Sequence, residues 1–569
     1  MLRSKPSVAS MFSLALRSEM FPLIVIFTVT CLGLPASEAG VVRGDGPTVV
    51  TPNGPIEGLY LDEANVFFGI PYAVPPVGDR RWRDPVPAKS WKPDVYKAVK
   101  PPPGCYQHCG TPPHTCPATV SEDCLYLTVF TPRSATTGSN FPVMLFLHGG
   151  NFVEGSGYSD LTDGRYYANK TDTISVLINY RLGAFGFLVT GNGSEDATGN
   201  YGILDQRLAL EWVQTNIASF GGDPNRVTLF GQSAGSQSVA VHVTSKRSQN
   251  LFHRAIIESF PFSVPFKKYF EAVILGNDFA EALNCSHGDL KCMRTKSPAD
   301  VKGAQDKVGG VIINPLRLFE MFEQWGPYID GRDITKQSVD AFMSGDFQKM
   351  PIIIGSTSDE ARINVIGAFP KPMDVLQVYE YLLALFPTHF FQVMAEYPPD
   401  PPGSDQREPM IVAANHVVFV CPERAALRGI AKYGDGNVWM YLFDHILSFD
   451  AWGPHWQFCV NHSCHGAELA FLFHSAPLGG FKYTADEDVL SRSMVYYWSN
   501  MAHTGNPNDD TWRRNNPRSD SVGEFVEWPK YGNSTGWSYM HLMTPRDRAD
   551  KNYLQEKCDF WDSLDVYPR

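Results

Sequence analysis

Basic residues are in the minority in this sequence. Its 569 residues contain 48 Lys and Arg against 60 Asp and Glu, which gives a formal net charge of −12. An acidic surface repels phosphate backbones and anionic membranes, so nucleic acid is excluded as an expected partner. There is also no internal repeat, which excludes a repeat architecture. Apolar residues are not scarce, since they make up 43% of the chain and can bury a large core.

Apolar runs of membrane-spanning length are missing near both ends. Residues 21–34 form an apolar run that is short for a span of about 20 residues. Arg3, Lys5 and Arg17 lie before or near it, and small residues at 37 and 39 follow, as in a secretory signal peptide. The last residues carry no hydrophobic tail, lipid-anchor signal or retention signal. We therefore expect a signal peptide at 1–39, a single domain at 40–569, and a secreted, extracellular protein without a stable membrane anchor.

Cysteine usage agrees with export. Of the eleven Cys, Cys31 lies in the signal peptide and ten remain, an even number that suggests five disulfides in an oxidising compartment. Sequons of the N-x-S/T type provide five candidate glycosylation sites. They begin at Asn169, Asn192, Asn284, Asn461 and Asn533.

Short aliphatic and β-branched runs alternate with amphipathic stretches. Continuous apolar strands of this kind are typical of a sheet that is buried on both faces. The predicted strands cover 143–147, 174–179, 226–230, 351–354 and 438–443. Residues 205–217 have helical spacing of apolar side chains and end before a Gly-Gly-Asp-Pro stop. The pattern predicts an α/β fold with a large, mostly parallel (mixed) central sheet and helices on both faces.

The most specific motif lies at residues 227–236, VTLFGQSAGS. It is a G-x-S-x-G sequence that follows an apolar strand and opens a small-residue helix, which is the context of a nucleophile elbow. Glycine is needed at 231 and 235 because a Cβ there would collide with the neighbouring strand and helix. The motif predicts Ser233 as a catalytic nucleophile.

A serine hydroxyl needs a base and an orienting carboxylate, which this arrangement supplies later in the chain. A strand at 351–355 leads into a loop that carries two candidate acids, Asp359 and Glu360. Residues 461–469, NHSCHGAEL, supply His465. For the oxyanion hole, residues 146–152, FLHGGNF, resemble a glycine-rich loop after a strand, and the N–H of Ala234 provides a further donor.

Longer motifs resemble the type B carboxylesterase and cholinesterase family from about residue 47 to 561. These are 68–78 (FGIPYAVPPVG), 121–127 (SEDCLYL), 179–187 (NYRLGAFGF), 199–210 (GNYGILDQRLAL), 220–228 (FGGDPNRVT) and 497–507 (YWSNMAHTGNP). The resemblance implies an α/β-hydrolase fold and a serine esterase without a cofactor.

By position, the resemblance implies Glu360 as the triad acid and His465 as the general base. The oxyanion N–H groups fall on Gly150, Asn151 and Ala234. Two positions depart from the family pattern, since Ala361 and Asn151 each stand where the family has Gly. The resemblance also implies that Arg81 and Glu122 form a structural salt bridge.

The resemblance matches three disulfides of the family, Cys105–Cys124, Cys285–Cys292 and Cys421–Cys558. Four cysteines are then left, which would pair as Cys109 with Cys116 and Cys459 with Cys464. A zinc site is the rival interpretation of the last pair, because Cys and His are the usual zinc ligands. It would use His455, Cys459, His462, Cys464 and His465. Export favours the disulfide, so no metal is expected.

The substrate is expected to be a small, neutral, apolar ester. Cholinesterases bind a quaternary ammonium by cation–π contact with a Trp in the first disulfide loop. Between Cys105 and Cys124 this chain has no Trp, and Gln232 stands where those enzymes carry Glu. The alternatives are a catalytically silent binding or adhesion member of the family and a lipase acting at a lipid surface. Oligomeric state is not predicted.

Overall fold

The computed structural model describes residues 46–62, 64–310, 313, 314, 317–516 and 526–569. The predicted signal peptide lies outside the described residues. From Gly46 onward the described chain forms one compact unit. Its centre is an eleven-stranded mixed sheet. The strands of this sheet are β3 (Leu59–Leu61), β4 (Ala64–Pro71), β8 (Tyr126–Pro132), β9 (Phe141–Leu147), β10 (Ile174–Ile178), β11 (Gly222–Gln232), β12 (Arg254–Glu258), β13 (Ile352–Thr357), β14 (Val438–Phe443), β15 (Ser538–Leu542) and β16 (Arg548–Lys551).

The spatial order is β16-β15-β14-β13-β12-β11-β9-β10-β8-β4-β3. Every pair from β15 to β10 is parallel, and the flanking strands β16, β8, β4 and β3 pair in the antiparallel sense. Two small sheets lie apart from it. They contain β1 (Thr48–Thr51), β2 (Gly54–Glu57) and β5 (Tyr96–Lys97), and β6 (Gly104–Cys105) with β7 (Val120–Ser121).

Both faces of the central sheet are buried. On β9, Val143, Leu145 and Leu147 belong to one hydrophobic cluster, whereas Met144 and Phe146 belong to another. Side chains alternate across a strand, so a run without polar residues fills both cores at once. The prediction of a mostly parallel central sheet with two buried faces is confirmed.

Sixteen α-helices surround the sheet among the described residues. They are α1 (Arg165–Thr171), α2 (Gly183–Phe187), α3 (Tyr201–Asn216), α4 (Ala234–Thr244), α5 (Tyr269–Ala282), α6 (Leu290–Arg294), α7 (Pro298–Val308), α8 (Ser338–Ser344), α9 (Arg362–Ala368), α10 (Val375–Leu385), α11 (Phe390–Glu396), α12 (Arg407–Ala414), α13 (Cys421–Tyr433), α14 (Leu469–Leu472), α15 (Ala485–Thr504) and α16 (Gln555–Leu564). The helix predicted at 205–217 covers Tyr201–Asn216, and Asn200, which adopts a left-handed conformation, marks its start.

A π-helical turn, Asn415–Val420, joins α12 to α13. The continuous segment Arg407–Tyr433 is long and apolar enough to cross a membrane, with a mean hydropathy of 1.3 over its most apolar window. However, 89% of that window is buried inside the protein. Such burial is typical of a core helix in a folded domain.

Five disulfides fasten the loops and helices. They are Cys105–Cys124, Cys109–Cys116, Cys285–Cys292, Cys421–Cys558 and Cys459–Cys464. The guanidinium of Arg81 donates two hydrogen bonds to the carboxylate of Glu122, at 2.7 and 2.6 Å. This ion pair ties the segment after β4 to the end of the first disulfide loop.

Candidate active site

Ser233 occupies the sharp turn between β11 and α4. Its φ of 58° is rare for a residue with a side chain and marks local backbone strain. A Cβ at Gly235 would lie 1.9 Å from the carbonyl oxygen of Leu147, and one at Gly231 would lie 2.7 Å from the same atom. Both glycines are therefore required by the close approach of the turn to β9.

Glu360 lies in the loop after β13, and its side chain is completely buried. Its Oε1 accepts a hydrogen bond of 2.5 Å from the backbone N–H of Thr357. The next residue, Ala361, has φ −79° and ψ −9°, which is ordinary right-handed backbone. Alanine in place of the family's glycine therefore costs the loop nothing in conformation.

His465 comes directly after the Cys459–Cys464 disulfide, whose two cysteines are completely buried. The backbone of Cys464 pairs with that of Asp359, and the Asp359 N–H donates to the carbonyl of Ser463 at 3.2 Å. The loop that carries the histidine is thus attached to the loop that carries the acid. This pairing brings His465 against Glu360.

The two ring nitrogens of His465 have different partners. Nδ1 forms a short hydrogen bond with Oε2 of Glu360, and Nε2 lies 3.2 Å from Nε2 of Gln232. A carboxylate only accepts, so Nδ1 carries the proton and Nε2 is left as the acceptor. The Gln232 amide occupies that acceptor. Among the described residues, Ser233 Oγ has no hydrogen-bond partner.

Buried charge around His465 sets its proton affinity. Burial lowers the pKa of His465, but the charge of Glu360, the hydrogen bond to it and the charge of Glu468 raise the pKa above its ordinary value. Glu468 is itself completely buried and accepts a hydrogen bond from Ser259 at 3.2 Å. Burial and the nearby charge of Glu360 raise the pKa of Glu468 to about 7.

The loop after β9 lies against the Ser233 turn. A Cβ on Gly149 would lie 3.0 Å from the Cβ of Ser233. Gly150 and Asn151 have φ of 105° and 53°, and Asn tolerates the left-handed conformation better than most residues. The Asn151 side chain also donates to the carbonyl of Phe322 at 2.9 Å. Among the described residues, the N–H groups of Gly150, Asn151 and Ala234 donate no hydrogen bond.

His148 is held inside this loop. Its ring stacks on Tyr180 with 4.4 Å between centroids, and Tyr180 donates to the His148 carbonyl at 2.7 Å. Burial lowers the pKa of His148 to about 4. The side chain is therefore neutral and supports the loop.

The remaining candidate positions are distributed over the surface. Asn192, Asn284, Asn461 and Asn533 are exposed, and Asn169 is half-buried. Cys459 and Cys464 are joined to each other, which leaves neither thiolate free to bind zinc. Sequence reasoning did not assign Glu468, although it stands three residues after His465 in the same motif, and it gave no role to the Gln232 amide at His465.

Comparison with known proteins shows which family the chain resembles over nearly its whole length. A model of the Carboxylesterase family matches residues 45–561. The chain is 38% identical to the cAMP-regulated D2 protein and 34% identical to the Crystal protein, both of Dictyostelium discoideum, over 82% and 81% of its length and 85% and 82% of theirs. It is 31% identical to the Acetylcholinesterase of Electrophorus electricus over 95% of this chain and 91% of that protein.

These matches confirm the family resemblance and the α/β-hydrolase fold. They support a carboxylic ester hydrolase at the level of the family. The chain belongs to the carboxylesterase family.

Proposed function

We propose that the protein is a secreted serine carboxylesterase that hydrolyses carboxylic esters with Ser233, His465 and Glu360. The observation that carries the proposal is the polarised His465. Its Nδ1 is bonded to the buried Glu360, and its Nε2 is an acceptor on the side of Gln232 and the strained Ser233 turn. This is the arrangement that a general base needs.

In the proposed reaction, Ser233 Oγ attacks the ester carbonyl while His465 Nε2 takes its proton. The amide of Gln232 must first leave Nε2, after which the Ser233 hydroxyl takes its place. Catalytic hydrogen bonds are often loose before substrate binds. The alcohol leaves with the proton from His465, and the acyl group stays on Ser233. Water then repeats the sequence and releases the acid.

The proposed oxyanion hole consists of the N–H groups of Gly150, Asn151 and Ala234. Ala234 is the first residue of α4, where an N–H has no partner within the helix. The donors of Gly150 and Asn151 are backbone N–H groups, so asparagine at position 151 can donate as well as glycine would. Three such donors would stabilise the tetrahedral oxygen, and each is worth about 10² to 10³ in rate.

The proposed substrate is a small neutral ester, and no cofactor or metal is needed. Gln232 adds no charge beside His465, and the loop between Cys105 and Cys124 contains no Trp that would bind a quaternary ammonium. Five disulfides support an extracellular location. We also propose glycosylation at Asn169, Asn192, Asn284, Asn461 and Asn533.

The test is covalent labelling with an organophosphate, read by intact mass on secreted, deglycosylated protein. Wild type is expected to gain one phosphyl group and Ser233→Ala none. Ser90→Ala, which changes an exposed serine outside the site, is the matched control and should label like wild type. If neither wild type nor the control is labelled, the catalytically silent binding or adhesion role replaces the proposal. Comparison of soluble with emulsified esters separates an esterase from a lipase.

Activity is expected to fall as the pH drops through the pKa of His465. Protonated His465 cannot accept the Ser233 proton, so the acidic form is inactive. Because Glu360 raises this pKa, the midpoint of the acid limb should lie above the usual histidine value of about 6.5. The measurement is kcat/KM of a neutral aryl ester from about pH 4.5 to about pH 9. A rate that stays flat down to the acidic end would remove His465 as the base.

A further inference from the structure

The loop that carries Glu360 is fastened to a helix by one asparagine. The N–H of Glu360 donates to Oδ1 of Asn415 at 3.0 Å, and Nδ2 of Asn415 donates to the carbonyl of Ser358 at 3.1 Å. We propose that Asn415 is a positioning residue that holds Glu360 against His465. The proposal rests on the proposed function, in which Glu360 is the triad acid.

The oxygen and the nitrogen of the Asn415 amide bind different backbone groups of the acid loop. Its oxygen accepts from one backbone group of the acid loop, and its nitrogen donates to another two residues earlier. Asn415 is only 5% exposed, so water cannot readily replace either hydrogen bond, and the loss of one would leave a buried polar group unsatisfied. Together with the bond from the Thr357 N–H to Glu360 Oε1, the two bonds fix both the backbone and the carboxylate of Glu360.

Asn415 is held in place by the helix that carries it. Asn415 is the first residue of the π-helical turn Asn415–Val420, and π-turns inside helices are frequent at functional sites. The turn is followed directly by Cys421, which is bonded to Cys558 on α16. The amide is therefore anchored by a buried helix and a disulfide. The loop that it holds is also attached to strand β14 by the bond from the Ser358 N–H to the Phe443 carbonyl, and to the Cys464 segment by backbone pairing and the Asp359–His462 ion pair.

Asn415 lies 55 residues after Glu360 in the chain, and Asn500 is another buried asparagine whose amide both donates and accepts a hydrogen bond. Asn500 on α15 is 1% exposed, donates to the carbonyl of Pro507 at 2.8 Å and accepts from the Trp512 indole at 2.7 Å. None of its hydrogen bonds goes to a triad candidate. Asn500 is thus a matched control for the loss of two buried hydrogen bonds.

The experiment compares Asn415→Ala with Asn500→Ala, each checked for folding by thermal unfolding. Asn415→Ala is expected to lower kcat/KM for a neutral aryl ester by about 10²-fold, mainly through kcat, as for a small misplacement of a catalytic group. Its acid limb should also move to lower pH, because a displaced Glu360 raises the pKa of His465 less. Asn500→Ala should lower the melting temperature and leave the wild-type pH profile unchanged.

Asn415→Leu and Asn500→Leu form a second pair in case the alanine variants do not fold. Each keeps nearly the volume of the amide and loses both of its hydrogen bonds. A wild-type acid limb and kcat in a folded Asn415 variant, or an equal loss in the Asn500 variant, would overturn the proposal. If wild type itself hydrolyses no ester and takes no phosphyl group, the proposed function has failed instead.

Discussion

Glu360→Gln is expected to lower kcat by about 10⁴-fold, as loss of the triad carboxylate does in other serine hydrolases. The amide has nearly the same shape as the carboxylate, but it can turn an N–H toward Nδ1 of His465. The ring would then take the tautomer that carries its proton on Nε2, and Ser233 would lose its base. The measurement is the steady-state hydrolysis of a neutral aryl ester at the pH optimum.

Asp359→Asn is the matched control because Asp359 is the neighbouring carboxylate of the same loop. Its side chain pairs with Arg362 at 2.5 Å and with His462 at 2.9 Å, both outside the proposed triad. We expect this variant to keep its activity within about tenfold of wild type, since partly exposed ion pairs contribute little. A large loss in Asp359→Asn together with a small one in Glu360→Gln would transfer the role of the acid to Asp359.

The buried carboxyl groups near His465 explain why Glu360 is suited to this role. Both of its oxygens are hydrogen bonded, one to the Thr357 N–H and one to His465. Glu258 and Glu468 each have one oxygen without a hydrogen-bond partner among the described residues. Burial raises the pKa of Glu258 well above its ordinary range, with a further contribution from the charge of Glu468. Of these three buried acids, Glu360 is the one that has both oxygens hydrogen bonded and faces the imidazole.

Much of the sheet was predictable because its strands are buried on both faces. The predicted runs at 143–147 and 438–443 coincide with strands β9 and β14, since a strand without polar positions leaves a clear pattern. The antiparallel strands at the edges gave no comparable signal. Short strands such as β3 are set by pairing with a neighbour, which a local pattern does not reveal.

The site was predictable where a motif fixes its geometry and not where the contact is tertiary. Ser233 and His465 stand in short motifs with defined neighbours, and the departures at Asn151 and Ala361 fit the backbone that each adopts. Asn415 carries no such signal, because its role depends on the π-turn that directs it at a loop 55 residues earlier. The sequence shows Gln232 in place of the Glu of cholinesterases. Its hydrogen bond to His465 depends on the tertiary contact between the Ser233 turn and the loop that carries His465.

Gly235→Ala is expected to abolish esterase activity and to destabilise the protein by about 3 kcal/mol or more, at the upper end of overpacking effects. The new Cβ would lie 1.9 Å from the Leu147 carbonyl oxygen and 2.9 Å from that of His148. Both atoms belong to backbone, so neither can rotate away. Helix α4 would have to move from β9, and Ser233 and the N–H of Ala234 would move with it.

Gly303→Ala provides the matched control. Gly303 is exposed in helix α7, and a Cβ there meets nothing within 4 Å. Alanine should stabilise this helix by about 0.5–1 kcal/mol, because it loses less backbone entropy on folding than glycine does. Denaturant unfolding, ester hydrolysis and organophosphate labelling are measured on both variants. If Gly235→Ala has the free energy of unfolding of wild type and reacts with the organophosphate like wild type, helix α4 does not approach β9 this closely. The strained turn would then no longer account for the reactivity of Ser233.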